Sequence, residues 1–218
     1  MGAVCLAAGL FTIPLVSCST TVDGHARPEQ LVDLSKLLLA PAEFPEGFDA
    51  VVLPPQAVSV AAPDLTGVPQ NAAVEPSGCT PPQQDYGPVT TAMAVGTDND
   101  TRATISVELT RSQATVDELE DQAIECGRFA VTSSGTESTV TTQVMPPPPI
   151  DADDTLALRR TVQSGGGREA VVQSMTTLIA SIGDVRVAAT MMSFGPSRPN
   201  LAPLDETFVS AVQKVQRS

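Results

Sequence analysis

The stretch from Leu156 to Met192 contains strand-like runs and turn signals and little else, and it limits the possible folds more than any other segment. Leu156, Leu158 and Val162 alternate with their neighbours, Ser164-Gly165-Gly166-Gly167 turns the chain, and Ala170 to Ile182 is a long apolar, β-prone run. Gly183-Asp184 turns the chain once more into Val185 to Met192. Period-two spacing broken by glycine-rich turns predicts an antiparallel three-stranded meander. Upstream, Val89, Thr91, Met93 and Val95 alternate, and beyond Asp98-Asn99-Asp100 the set Ile105, Val107 and Leu109 alternates again, which predicts a β-hairpin. Val140, Thr142 and Val144 make a further strand, stopped by Pro146-Pro147-Pro148-Pro149, whose stiff extended geometry permits neither helix nor interior sheet pairing.

Helical spacing occurs in three places. Leu31, Leu34 and Leu38 recur at i, i+3 and i+7 on a segment that Pro41 ends. Thr115 stands three residues before Glu118 in a capping-box arrangement, and Val116, Leu119, Ala123 and Cys126 share one face of the helix that follows. Pro203 sits near the start of a last helix, with Leu204, Phe208, Ala211, Val212 and Val215 on one side. From Pro41 to Pro88, prolines, glycines and single hydrophobic residues without a sustained period predict a long irregular excursion. The order helix, two strands, helix, four strands, helix predicts an α+β domain. Its sheet is largely antiparallel with about six strands, and two to three helices pack on it.

The N-terminus supplies an address. Leu15-Val16-Ser17-Cys18 closes a short apolar run and fits the bacterial lipobox pattern of Leu, two small residues and Cys. The expected chemistry is diacylglyceryl transfer to the Cys18 thiol, cleavage before Cys18 and N-acylation. Residues 1–17 are then a lipoprotein signal peptide, 18–29 a flexible tether, and 30–218 a single domain exported to the outer face of the cytoplasmic membrane. Ala3 to Val16 is far shorter than the roughly 20 apolar residues of a membrane-spanning helix, and Pro14 interrupts it. Met1 to Val4 carries no Lys or Arg, so a basic leader would lie upstream of Met1; a secretory signal without lipidation is the competing reading.

Of the 4 cysteines, Cys5 falls in the signal and Cys18 would be acylated, which leaves Cys79 and Cys126 in the mature domain. Outside the cytoplasm such a pair oxidises, and a long loop closed by one disulfide gains about 4 kcal/mol in the chain-entropy model. Metal binding is the alternative, and it lacks two further ligands. Because Cys126 lies on the apolar side of its helix, the bridge would staple the excursion to the core-facing side.

Composition excludes several functions. A net charge of −13 repels nucleic acid and anionic headgroups, and with no Trp and a single Tyr86 the aromatic platforms that stack bases are scarce. The one histidine, His25, lies in the tether, so a Ser-His mechanism has no base. Ser164-Gly165-Gly166-Gly167 is not followed by Lys-Ser or Lys-Thr, as a phosphate-binding loop would be. Neither Asp98-Asn99-Asp100 nor the group Asp151, Asp153 and Asp154 has the spacing of a calcium loop. No catalytic residue, metal site or cofactor is expected.

The lipobox, the Leu37-Leu38-Leu39-Ala40-Pro41-Ala42-Glu43-Phe44-Pro45 helix end, the Ser77-Gly78-Cys79 and Glu125-Cys126-Gly127 contexts, and Ile182-Gly183-Asp184-Val185 carry a resemblance. From about residue 30 to the C-terminus the chain resembles mycobacterial cell-envelope lipoproteins, in particular the group related to the extracellular sensor domain of PknH-type receptor kinases. The resemblance implies a disulfide-stapled antiparallel sheet with helices around a cleft, and a ligand-binding or sensing role. Those sensor domains carry two disulfides, whereas the mature domain of this chain can form only one.

Three functions of different kinds follow. The first is a membrane-anchored module that binds a small molecule or lipid beside the sheet. Ala188, Ala189, Met191 and Met192 would suit its yielding pocket, although a packed core suits them better. The second is an accessory subunit that contacts an envelope protein through the Pro41–Pro88 excursion. The third is a hydrolase built on paired carboxylates alone.

Overall fold

The alternating C-terminal half becomes the middle of a wide sheet. The computed structural model describes residues 32–112, 114–165, 170–195 and 199–218. Cys18, His25, Leu31 and the Gly166-Gly167 part of the glycine turn lie outside them. Among the described residues the chain forms α1 (Leu34–Leu37), β1 (Phe48–Val52), α2 (Pro55–Asp64), β2 (Ala73–Glu75), β3 (Thr91–Asp98) and β4 (Thr104–Thr110). There follow α3 (Val116–Glu125), β5 (Arg128–Ser133), β6 (Thr136–Met145), β7 (Asp154–Ser164), β8 (Val171–Ile182), β9 (Val185–Phe194) and α4 (Ala202–Gln216). All nine strands join one antiparallel sheet in the order β1-β3-β4-β9-β8-β7-β6-β5-β2.

The predicted hairpin is β3–β4, the meander is β7–β8–β9, and the α+β class holds. The sheet is wider than six strands because β1, β2 and β5 were not foreseen. β1 and β2 lie inside the excursion expected to be irregular, as does α2, which brings the α-helices to four among the described residues. Prolines hid α2. Pro55 occupies its first turn, where a missing N–H costs nothing, and Pro63 falls in the last turn. The carbonyl that Pro63 leaves without its helical donor belongs to Ser59, and the Gln70 side-chain amide donates to it at 2.9 Å. β5 is joined to β6 by Ser134-Gly135, both at positive φ (51° and 79°), the backbone that a two-residue hairpin turn requires.

The sheet is covered on both faces. Ile105, Val107 and Leu109 of β4 and Val187, Ala189 and Met191 of β9 pack beneath α1 and α4, against Leu34, Leu204, Phe208 and Val212. Phe208 is 0% exposed, and burying a side chain of that size contributes about 3 kcal/mol. On the opposite face α3 sets Val116 and Ala123 on Leu156, Leu158 and Ile179, while α2 sets Val58 and Ala62 on Met93. The capping box at the start of α3 is formed: Thr115 Oγ1 accepts from the Glu118 N–H at 3.2 Å, and the Glu118 carboxylate accepts from the Thr115 N–H at 2.8 Å.

β1 and β2 are neighbours in sequence but occupy opposite edges. The chain from Leu53 to Ala72, which includes α2, therefore crosses the width of the sheet. Nine strands span about 38 Å, and roughly 20 residues, half of them helical, reach about 48 Å, so the crossing has little slack.

Candidate functional site

Where the covering helices α2 and α3 part, they leave a cavity of about 140 Å³ over the sheet. One wall is the end of α2 (Ala62, Leu65), another is the segment Pro81, Pro82, Gln84 and Tyr86, and a third is Leu119, Gln122 and Ala123 of α3. The floor is built from residues of six strands, including Glu108, Phe129, Thr142, Leu158, Arg160, Thr177, Ile179, Arg186 and Ala188.

The predicted staple closes the rim. Cys79 and Cys126 form a disulfide with an S–S distance of 2.06 Å, and both line the cavity. Cys126 is buried, as its place on the helix face implied, and stands at the C-cap of α3 just past the last helical residue. The Gln122 side-chain amide donates to the Thr80 carbonyl at 2.8 Å, so α3 holds the following loop at two neighbouring points.

Three charged side chains line this space, with neutral polar groups such as Gln84, Gln122, Thr177 and Thr190 among its apolar ones. Glu108 stands in register between Met93 of β3 and Ala188 of β9. Burial pushes its carboxyl up to about 7, and the nearby Arg186 charge only partly opposes that rise. Arg186 donates to the Ala114 carbonyl at 3.3 Å and to Gln84 Oε1 at 3.0 Å. Its own pKa is lowered by burial and supported by Glu108 and Tyr86. The Tyr86 phenol is pushed up to about 12, mainly by burial and further by the Glu108 charge. These three groups make one polar end.

Arg160 makes the other end, with no acid beside it among the described residues. Its Nε donates to Thr142 Oγ1 at 3.2 Å and its Nη1 to the Leu65 carbonyl at 3.3 Å. Burial brings its pKa down to about 10, with no acidic group offsetting that effect. Gly67, at φ +75°, lies over its stem, and a Cβ there would come within 2.9 Å of Arg160 Cδ. The glycine lets the backbone press down on the arginine and fix its direction.

Sequence reading missed all three charges. Arg160 had a visible signal: it occupies the one polar place in the alternating row Leu156, Leu158, Arg160, Val162. Glu108 had none, because on a sheet covered on one side its position would face water. Of the small and flexible residues considered for a pocket, Ala189 and Met191 are core beneath α4, whereas Ala188 lines the cavity. The acidic groups serve turns: Asp98 accepts from the Asp100 and Thr101 N–H groups at 2.8 and 3.2 Å, and Asp153 accepts from the Gly183 N–H at 2.7 Å. Among the described residues no three His, Cys, Asp or Glu side chains come together as a metal site would need. No helix among them is long and apolar enough to cross a membrane.

The chain is similar to an uncharacterised protein from Mycobacterium smegmatis, an Rv0999 ortholog of known X-ray structure. The identity is 18% and the TM-score 0.48, over 84% of this chain and 97% of that one. No curated protein matches. The model of a domain of unknown function, DUF5642, matches residues 33–213, which take in the whole sheet, the cavity and all but the last turn of α4, and the chain belongs to that family.

Proposed function

We propose that this chain is an exported ligand-binding or sensing module of the cell envelope, held at the outer face of the cytoplasmic membrane by acyl chains on Cys18. The cavity between α2 and α3 carries this reading: a mostly apolar lining with polar groups set into it and three half-buried charges are the build of a small-molecule site. Keeping charged groups in such a space works against stability unless something else compensates, and a ligand does so. The Cys79–Cys126 bridge beside the cavity suits an oxidising compartment. A hydrolase built on paired carboxylates would need a second acid facing Glu108, and Glu108 has Arg186 beside it instead.

The test is fractionation followed by native mass spectrometry of the full chain expressed in an actinobacterial host. The intact protein is expected in the membrane fraction, and Cys18→Ala in the soluble exported fraction with its melting temperature unchanged, because acyl burial supplies membrane affinity and not core stability. A retained non-covalent mass that raises the melting temperature when added back supports binding. Unchanged membrane association of Cys18→Ala overturns the anchor. Ester or glycoside hydrolysis that Glu108→Gln abolishes overturns the binding reading.

A further inference from the structure

Building on the ligand-binding reading, we infer that the cavity takes a small monocarboxylate with an apolar body about the size of one ring, its anionic group seated on Arg160. Four observations carry this.

Arg160 is a half-buried cation with no acid beside it among the described residues, in a protein whose net charge is −13. Carboxylates are plentiful on the chain, yet Glu108, the one acid among the described lining residues, sits with Arg186 and Tyr86 at the other end. A buried charge without a counterion is unfavourable, and an incoming anion removes that cost.

The guanidinium offers five N–H donors, and the described residues engage it at Nε and Nη1. The donors left over form the fork that grips a carboxylate through two parallel hydrogen bonds. Because Thr142, Leu65 and the backbone at Gly67 hold the stem, little ordering remains to be done on binding.

Volume sets the size of the body. The cavity measures about 140 Å³, and an apolar cavity of about 150 Å³ holds one benzene molecule. Leu119, Ala123, Leu158 and Ile179 offer that body an apolar bed. The charge count sets the valence: one unmatched arginine neutralises one negative charge, and Glu108 at the far end disfavours a second.

Benzoate, benzamide and inorganic phosphate, titrated separately into the oxidised full chain at pH 7.5 and followed by calorimetry, test the inference. Benzoate should bind about tenfold or more tightly than benzamide, which has the same shape and no charge, and phosphate should not bind measurably. Arg160→Met should abolish the preference for benzoate over benzamide, and Arg160→Lys should keep part of it. Benzamide binding as well as benzoate, phosphate binding more tightly than benzoate, or a preference that survives Arg160→Met overturns the inference. So does failure of both aromatic probes to bind. The native probe comparison decides even where a variant does not fold. A retained mass of other chemistry in the native spectrum would overturn this assignment and leave the binding reading in place.

Discussion

Along β4, Ile105, Val107 and Leu109 go into a closed layer under α1 and α4, while Glu108, in the same strand, faces a cavity roofed by α2 and α3. The same strands thus build two unlike surfaces from alternate residues. The first is sealed: a helix of 15 residues lies along it, and Leu204, Phe208 and Val212 are each 0% exposed. The second is covered by two helices of 10 residues each that part in the middle. There, apolar burial is interrupted by charges, and a disulfide together with hydrogen bonds from Gln70, Gln122 and Arg160 holds the cover in place. Stability concentrates on one face, which frees the other to carry groups that a tight core would reject.

The largest effect expected from this contrast comes from the sealed face. Phe208→Ala should lower unfolding stability by about 3 to 5 kcal/mol in urea, since neighbouring side chains relax only partly into the space left behind. A loss below about 1 kcal/mol would mean that the α4 layer is not the main source of stability.

On the open face the staple should matter next. Cys126→Ser should cost about 2 to 4 kcal/mol, because it releases a long loop in the unfolded chain, and it should also weaken any ligand bound beside the bridge. Free-thiol labelling of the exported protein checks the starting point: two reactive thiols would refute the bridge.

Glu108→Gln should act in the opposite direction. The carboxyl titrates at about 7 in the folded protein against an ordinary glutamate value of 4.5, so the folded state holds a proton that the unfolded chain has released. Its contribution is fully present below about pH 4.5 and is lost as pH rises through about 7. At pH 8 the glutamine variant should therefore be more stable than the native chain, by about 2 to 3 kcal/mol, and at pH 4 nearly equal to it. Paired melts at the two pH values measure this, with Tyr86 and Arg186 unchanged. An equal difference at both would show that burial does not hold the Glu108 proton.

The elements that sequence alone revealed have local signals. The β7–β9 meander has its period and turns, α3 its capping box, α4 its stripe, and the cysteine pair its arithmetic. β1 and β2 have no such signal: β1 is five residues with Val51 and Val52 exposed, β2 is three residues, and each becomes a strand only because a neighbour offers it an edge. The site was hidden for a related reason. Glu108 is a site residue only because a second layer of helices covers its face, and no local pattern around it reports a cover contributed by residues 55–64 and 116–125. Arg160 was readable in principle, as a cation in an apolar row, but a row with one polar member is ordinarily taken as a strand with a solvated position.

The sheet order also ties the cavity to distant parts of the chain. β1 docks on β3 and β2 on β5, at opposite edges. Residues 48–75 therefore take their place from strands that follow them in sequence. Both ends of the crossing are fixed only when the seven strands between β1 and β2 are paired. The wall that α2 gives the cavity, with the Leu65 carbonyl set on Arg160, thus depends on strands at both margins of the sheet.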